Sequence, residues 1–465
     1  ERETLFLPNY ITMSDFISRL CLVKDFKFID EDSRDLLLLE ASDFAAFKNL
    51  QIERNFFTFT KNSSYIFKFF EELSAELYDV DNLSGADIYA EYEEHITILQ
   101  ELYKRYEALC MQRKLLDKIF LPKLYAFNEN YAVSHESVRI YLEGHLTNFE
   151  YELLKSAKEF TRVEIVFSAT AFNTKMQSKF LDLGLELEKG FKYTILLNEL
   201  SIISKTPIKK NKNITCESFS ESLLQMAFVK QKVYEFIAKG HLPQNIAVIL
   251  PNEQAATLLQ SFDEKGNFNF AMGKSFVQSE IYTKLNATIK AIEQDSKENE
   301  ARVERVGDEL YIQFHSIYYK KSAELDFIAF LEELAEHFKS KSELKIFKQE
   351  IYSFKRVLPF MQDMSIKSVM SLFMQRLASC TIDDVRGGKV TVMGVLETRA
   401  VHFDGVIIID FDDKNVPKRS DKDMFLNTQI RQNAKLPTMS DRENLQKHYY
   451  EMLINRSKDV AIAYV

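Results

Sequence analysis

The sequence predicts an α/β protein in which two parallel sheets are each interrupted by a helical insertion. Three short runs rich in apolar residues, at 162–167, 246–250 and 403–410, have the length of strands buried on both faces of a parallel sheet. The 465 residues include only 12 glycines and 8 prolines. So few helix breakers favour long helices between these strands, and the length allows about three domains.

Composition limits the classes of function. The formal net charge of −9 gives no global attraction for nucleic acid, so DNA binding would need a local basic strip. The four cysteines lack CxxC or Cys/His spacing, which excludes a sequence-evident zinc or iron–sulfur site and favours a reducing compartment, the cytoplasm. No apolar run approaches the ~18 residues of a membrane span, and no signal peptide is recognisable. Because the chain opens with Glu1, we expect a segment of a longer protein.

The first half of the chain is predicted to be mainly helical. We expect a short strand and a capped helix over 5–20, followed by helices over 31–150. A strand is then expected at 162–167. The loop 168–174 after it offers hydroxyl side chains but no carboxylate, so it cannot position a magnesium ion and a water.

A polar connector at 205–212 predicts a boundary between two domains. It carries Lys205, Lys209, Lys210 and Lys212. Such a basic segment is either a solvated linker or a contact for DNA phosphates.

Beyond the connector, strands and helices alternate, and helical periodicity returns over 295–385. The elements expected in order are a strand at 214–216, a helix at 217–239, strands at 246–250 and 268–273, strands at 390–395 and 403–410, a helix at 440–456 capped by Ser440 or Asp441, and a strand at 459–464.

Two short motifs imitate catalytic sites but are incomplete. The Gly-Lys-Ser tripeptide at 273–275 is like the end of a phosphate-binding loop, yet Phe268 stands where the first glycine is required. Lys274 is still a candidate contact for phosphate or DNA. The segment 410–414 imitates the Asp-x-Lys of a nuclease, but no strand with a partner carboxylate precedes it.

Aromatic and histidine residues also suggest functions that their spacing does not favour. The phenylalanines between 56 and 70 are interleaved with lysines and could stack single-stranded bases, but their density and helical spacing favour core packing. His95 and His337 each follow a glutamate on a predicted helix, without a second ligand four residues away. We therefore expect no metal site at these positions.

The most specific pattern lies around the strands at 390–395 and 403–410. A strand, the order Leu-Glu-x-Arg-x-x-x-Phe-Asp, a second strand and a later proline are present as Leu396, Glu397, Arg399, Phe403, Asp404 and Pro417. On these residues, and on the segment 245–251 that ends the run Ile-Ala-Val-Ile-Leu with a proline, the chain resembles the AddB branch of the AddAB (RecBCD-like) helicase–nucleases. Those AddB subunits are inactivated superfamily I helicases.

The resemblance implies two RecA-like domains of the P-loop NTPase type. Their implied boundaries are 1–30 with 151–210 for the first, 211–294 with 385–465 for the second, and helical insertions at 31–150 and 295–384. Active relatives place a glutamate that contacts the nucleotide ribose where this chain has His402. Arg456 matches the arginine of the sixth helicase motif, which reaches toward the γ-phosphate. Together with Glu397 and Arg399, these residues imply a degenerate nucleotide-binding site.

The function implied by the resemblance is that of a non-motor subunit. It would bind a DNA single strand or duplex end beside an AddA-like helicase–nuclease subunit during double-strand break repair by homologous recombination. No catalytic residue, metal or cofactor is expected in this segment, whereas ATP and Mg²⁺ would act in the complex. DNA contacts are expected at Lys205, Lys209, Lys210, Lys212 and Lys274. The alternatives are an active ATP-dependent DNA helicase whose phosphate-binding loop lies upstream, and an architectural module without a DNA role.

Overall fold

The computed structural model describes residues 9–54, 56–86, 92–211, 213–294, 308–383, 387–399, 401–419 and 425–465. These residues form a mixed α/β protein in which helices accompany sheets with parallel strand pairs. Across the described part of the chain, no helix is both long and apolar enough to cross a membrane.

The chain folds as two compact units. Unit one comprises Glu1–Phe219, Val395–Val406 and Asp410–Val465, and unit two comprises Ser220–Gly394 and Ile407–Ile409. The boundaries implied by the resemblance group the chain differently, with 385–465 beside 211–294, and they stay a prediction.

Unit one contains most of the helices. Its helices are Met13–Leu20, Glu31–Ala41, Phe56–Ala75, Leu83–Ala86, Glu93–Gln112, Leu121–Leu124, Glu129–Val133, Asn148–Ala157, Thr174–Asp182, Thr428–Asn433 and Met439–Arg456. The last of these begins at a capping box in which the Thr438 hydroxyl accepts from the Asp441 amide and the Asp441 carboxylate accepts from the Thr438 amide. Thr438 is thus the N-cap in place of the predicted Ser440 or Asp441. The short strands of this unit are Cys21–Leu22, Lys27–Phe28, Leu115–Leu116 and Ala126–Phe127.

A four-stranded sheet gives unit one its α/β character. Its strands, in spatial order, are Ser137–Leu142, Arg162–Ala169, Phe191–Leu196 and Ser201–Pro207. The first pair is parallel and the other two pairs are antiparallel. The strand predicted at 162–167 is confirmed and lies inside the sheet, but the prediction of a parallel sheet is wrong. Only four residues join the last two strands, and so short a connection permits only antiparallel pairing.

The strand Ser137–Leu142 also corrects the expectation of helices throughout 31–150. Its exposure alternates along the strand, with Val138, Ile140 and Leu142 less exposed than their neighbours. A period of two is the pattern of a strand with one covered face. A helix, Asn148–Ala157, then returns the chain to the parallel strand Arg162–Ala169.

The predicted core role of the phenylalanines is confirmed where the structure describes them. Phe59, Phe67, Phe69 and Phe70 are buried in a cluster that also contains residues of the helix Glu93–Gln112. The side chains of the phenylalanines at 56 and 57 lie outside the described residues. These rings therefore stabilise the helical part of unit one by burial, and the buried ones are not available for base stacking.

A second sheet has six strands. In spatial order they are Phe268–Phe270, Val390–Met393, Ile246–Ile249, Gly405–Ile408, Asp459–Tyr464 and Ile214–Ser218. Val390–Met393 is parallel to both of its neighbours, and Asp459–Tyr464 is parallel to Ile214–Ser218. The prediction that the strands after residue 390 join the sheet of 246–250 is confirmed.

Unit two adds a helical layer around an aromatic core. Its helices are Ser222–Ala238, Ala255–Ser261, Glu280–Glu293, Asp308–Ile317, Phe327–Ala335, Lys341–Phe354 and Ile366–Ser379, and its two-stranded sheet pairs Lys274–Ser275 with Thr381–Ile382. Phe327, Phe347 and Phe354 all contact Phe373 edge-on or nearly so. Edge-to-face packing suits the opposite charges of ring edge and ring face, so it fixes how these helices meet.

Candidate functional site

The candidate site of unit one lies at the carboxyl ends of its two parallel strands. Ligands of open α/β sheets bind at this edge because loops and helix N-termini converge there. Glu143 comes directly after Ser137–Leu142, and Thr170 comes directly after Arg162–Ala169. The helix Met439–Arg456, which belongs to the same unit, supplies the other charged groups.

An ion pair joins Arg456 to Glu143. The Arg456 Nη2 atom lies 2.6 Å from Glu143 Oε1, and the two side chains are 31% and 13% exposed. The end of the helix is held by Asn211, whose side-chain amide donates to the carbonyl oxygens of Ile454 and Ser457 at 3.0 and 2.9 Å. The guanidinium therefore already has a carboxylate partner within its own unit.

The same helix carries two further ionisable side chains, the buried His448 and the half-buried Glu451. His448 is 1% exposed, and its Nδ1 atom lies 2.9 Å from Thr170 Oγ1. Burial, and then the charge of Arg456, lowers the pKa of His448 to about 4, so the imidazole is neutral at pH 7. Burial raises the pKa of Glu451, whose Oε2 atom has no hydrogen-bond partner among the described groups.

The cavity between these groups is too small for a nucleotide. Its volume is about 20 Å³, and its lining includes Glu143, Ser168, Lys192, His448 and Arg456. One water needs roughly 10–15 Å³ by this kind of measure. Ligand pockets in proteins usually span ~300–1,000 Å³. The site in this conformation is closed around its own ion pair.

A second cavity of unit one, of about 240 Å³, is lined in part by Gly144, which follows Glu143 in the chain. Its basic side chains are also paired: Lys175 Nζ lies 3.4 Å from Asp441, and His145 Nε2 lies 3.2 Å from Glu76. Arg442 is bonded to Glu72. A phosphate entering here would have to displace carboxylates from each cation, which disfavours anion binding.

The other predicted nucleotide-site residues lie in the loop between the strands Val390–Met393 and Gly405–Ile408. The Arg399 guanidinium is 5.6 Å from the ring of Tyr449, which belongs to the helix that ends at Arg456. Its Nε atom donates to the Leu396 carbonyl at 2.8 Å, which shapes the loop. Glu397 and His402 are exposed, and His402 Nε2 is 3.7 Å from Asp404.

The predicted DNA-contacting lysines occupy different surroundings. Lys205 lies in the strand Ser201–Pro207, which corrects its assignment to a connector, and its Nζ atom is 2.7 Å from Glu188. Lys209 and Lys210 are exposed after this strand, whereas Lys212 lies outside the described residues. Lys274 belongs to the two-stranded sheet of unit two.

Gly273, which precedes Lys274, has φ of +72°, and a Cβ there would lie 2.7 Å from the Ile382 carbonyl oxygen. The glycine of the Gly-Lys-Ser tripeptide is therefore required by a turn and a close backbone approach. This explains the tripeptide without a phosphate.

Glu143 is a site residue that was not predicted from the sequence. The expectation of helices over 31–150 provides no strand end before the strand 162–167, and therefore no carboxylate at this edge of the sheet. The available signal was the alternation that ends at Leu142, followed by Glu143 and by the capping box of Thr147 and Glu150 that starts the next helix. Strand, carboxylate and helix start in that order predict a loop at the carboxyl edge of a sheet.

Within the described ranges, no group of three or more His, Cys, Asp or Glu side chains is arranged to hold a metal ion. A scan against protein-family models and a search of curated proteins found no match to this chain. The function is therefore inferred from the residues, from the geometry and from the resemblance given above.

Proposed function

We propose that this chain is a non-motor, DNA-binding, helicase-like part of an ATP-dependent helicase–nuclease complex that repairs double-strand breaks by homologous recombination. The resemblance to AddB at 396–404 and 245–251 supports this reading. The six-stranded sheet also supports it. Some of its strands precede a helical segment in the sequence and others follow that segment, as an interrupted RecA-like domain would require. The proposed setting is the cytoplasm, beside an AddA-like subunit that hydrolyses ATP with Mg²⁺.

The ion pair between Arg456 and Glu143 carries the proposal. An arginine that senses a γ-phosphate must face a space that a nucleotide can enter, and its charge must be free to stabilise the transferring phosphoryl group. In this chain Arg456 meets a carboxylate at 2.6 Å, beside a cavity of about 20 Å³. A carboxylate in contact with the arginine would also repel the γ-phosphate, so the pair disfavours ATP twice.

The test is nucleotide binding and hydrolysis by the purified chain. We expect no binding of a fluorescent ATP analogue with Mg²⁺ and no ATP turnover in the presence of single-stranded DNA. Turnover that depends on Mg²⁺ and DNA, and that Arg456→Ala abolishes, would overturn the non-motor assignment in favour of an active helicase.

DNA binding is tested through Lys209 and Lys210, which are exposed and follow the edge strand Ser201–Pro207. Replacing both with glutamate should weaken binding of all sequences alike. It should also lower the salt slope by about 0.7 for each phosphate of a single strand that the variant no longer neutralises. The control exchanges Lys118 and Lys155, which are exposed lysines of the same unit paired with glutamates. Unchanged affinity and slope would show that 209–210 is a solvated linker.

A further inference from the structure

The helix Lys341–Phe354 of unit two carries a row of basic side chains on one face. Lys341, Lys345, Lys348 and Tyr352 recur at intervals of four, three and four residues, which places them along a single line of an α-helix. All four are exposed, Tyr352 to 69%. We call these four residues the basic stripe.

Both carboxylates of this helix lie on its opposite side, where they are bonded to neighbouring helices. Glu343 Oε2 accepts from the Ile281 amide at 3.2 Å, and Glu350 accepts from the Arg376 guanidinium. At 100° per residue, the two glutamates are roughly 180° from the middle of the basic stripe. The acidic groups therefore anchor the helix to Glu280–Glu293 and Ile366–Ser379, and the basic groups face outward.

The three lysines of the stripe are not neutralised by the protein itself. None of them forms an ion pair with a carboxylate among the described residues, in contrast to Lys284 and Lys367 of the same unit. We leave Lys355 out of the basic stripe because it lines a cavity that the acidic side chain of Glu332 also lines. On a chain with a net charge of −9, three lysines in a row without an ion-pair partner among the described residues give a local positive field.

Tyr352 gives the stripe an aromatic end. The Arg356 guanidinium lies 5.8 Å from the centre of its ring, so one face of the ring is backed by a cation. Because this ring is exposed, it is not part of the hydrophobic core of unit two. It offers a flat surface on which an unpaired base can stack, and the lysines beside it can pair with phosphates.

From this juxtaposition we infer that the basic stripe is a binding surface for single-stranded DNA, with lysines on the phosphates and a base on Tyr352. The inference rests on the proposed function, and it locates a contact that the predicted lysines do not include. Lys341 and Lys348 are seven residues apart, or about 10 Å along the helix. That distance equals about three nucleotide steps of roughly 3.4 Å along the axis of a B-form duplex, and fewer steps of a more extended single strand.

The experiment measures binding of the full chain to a labelled oligothymidylate of about 15 nucleotides by fluorescence anisotropy across a salt series. K345Q/K348Q should lower the salt slope by about 1.4, from roughly 0.7 per phosphate contact. Y352A should weaken binding at least about fivefold, while Y352F should bind like the unaltered chain, because phenylalanine keeps the stacking face. The matched control is K284Q/K367Q, which removes the same charge from lysines already paired with Glu280 and Glu293.

The outcomes separate the stripe from the proposed function. If the unaltered chain binds DNA and K345Q/K348Q binds with the same slope, the stripe is refuted and the proposed function stands. If the unaltered chain does not bind DNA even at low salt, both are refuted. Binding to polyglutamate that the double exchange abolishes, without binding to DNA, would show an acidic protein partner and refute the inference. A decrease in K284Q/K367Q equal to that in K345Q/K348Q would reduce the effect to net charge and refute it as well.

Discussion

Replacing Glu143 with glutamine should destabilise unit one, because it leaves the partly buried charge of Arg456 without a partner. Two unit charges about 4 Å apart attract by roughly 4 kcal/mol at an effective dielectric of 20, and desolvation offsets much of this. Exposed ion pairs contribute ~0–1 kcal/mol, and breaking a fully buried pair costs ~3–5 kcal/mol. With exposures of 31% and 13%, we expect a decrease in unfolding free energy of about 2 kcal/mol.

The pair itself is measured by a double-mutant cycle of Glu143→Gln and Arg456→Gln. We expect a coupling free energy of about 1–2 kcal/mol, largely retained at high salt because dissolved ions screen a partly buried pair weakly. The chain has no tryptophan, so urea unfolding is followed by circular dichroism and tyrosine fluorescence. The exposed pair of Lys104 and Asp81, at 55% and 53% exposure, is the control and should couple by less than about 0.5 kcal/mol.

A coupling below about 0.3 kcal/mol for Glu143 and Arg456, or one no larger than in the control pair, would refute this reasoning. The arginine would then be held loosely. The carboxylate could give way to a phosphate at little cost, and the site could no longer be regarded as closed.

Three further predictions concern ionisable side chains of unit one. Because the pKa of His448 is lowered to about 4 from 6.5, the unfolded chain alone gains a proton between these values; stability should fall by up to about 3 kcal/mol as pH drops through that window, and His448→Gln should remove this slope in urea titrations. Glu72→Gln removes a carboxylate that pairs with both Arg431, only 6% exposed, and Arg442; unfolding free energy should drop by about 1.5–3 kcal/mol, the range for a hydrogen bond to a charged group, and an unchanged melting temperature would contradict this. Burial raises the pKa of Asp35 from 3.8 to about 6, so between these values the folded chain keeps a proton that the unfolded chain has lost; stability should fall by up to about 3 kcal/mol as the pH rises through that window, and Asp35→Asn should remove this dependence, as calorimetry near pH 4 and at pH 7 would show.

Elements whose signals are local can be predicted from the amino-acid sequence alone. The strand Asp459–Tyr464 and the buried run at 246–249 follow from continuous apolar residues, and the helix ending at Arg456 follows from its periodicity. The pattern at 396–404 predicted a loop between two strands, and both strands belong to one sheet. The phenylalanines around 59–70 were assigned to a core because spacing alone predicts a buried helix face.

Which strand ends face which charges depends on the tertiary fold. The strand Ser137–Leu142 places Glu143 at the edge of the sheet, and no local signal in the sequence indicates that Arg456 is its partner. Pairing between segments so far apart in sequence depends on how the whole unit packs. The exposure of the basic stripe also depends on the tertiary fold. Helical spacing aligns its lysines, but which face of the helix points outward is set by the aromatic core and by the glutamates that bind the neighbouring helices.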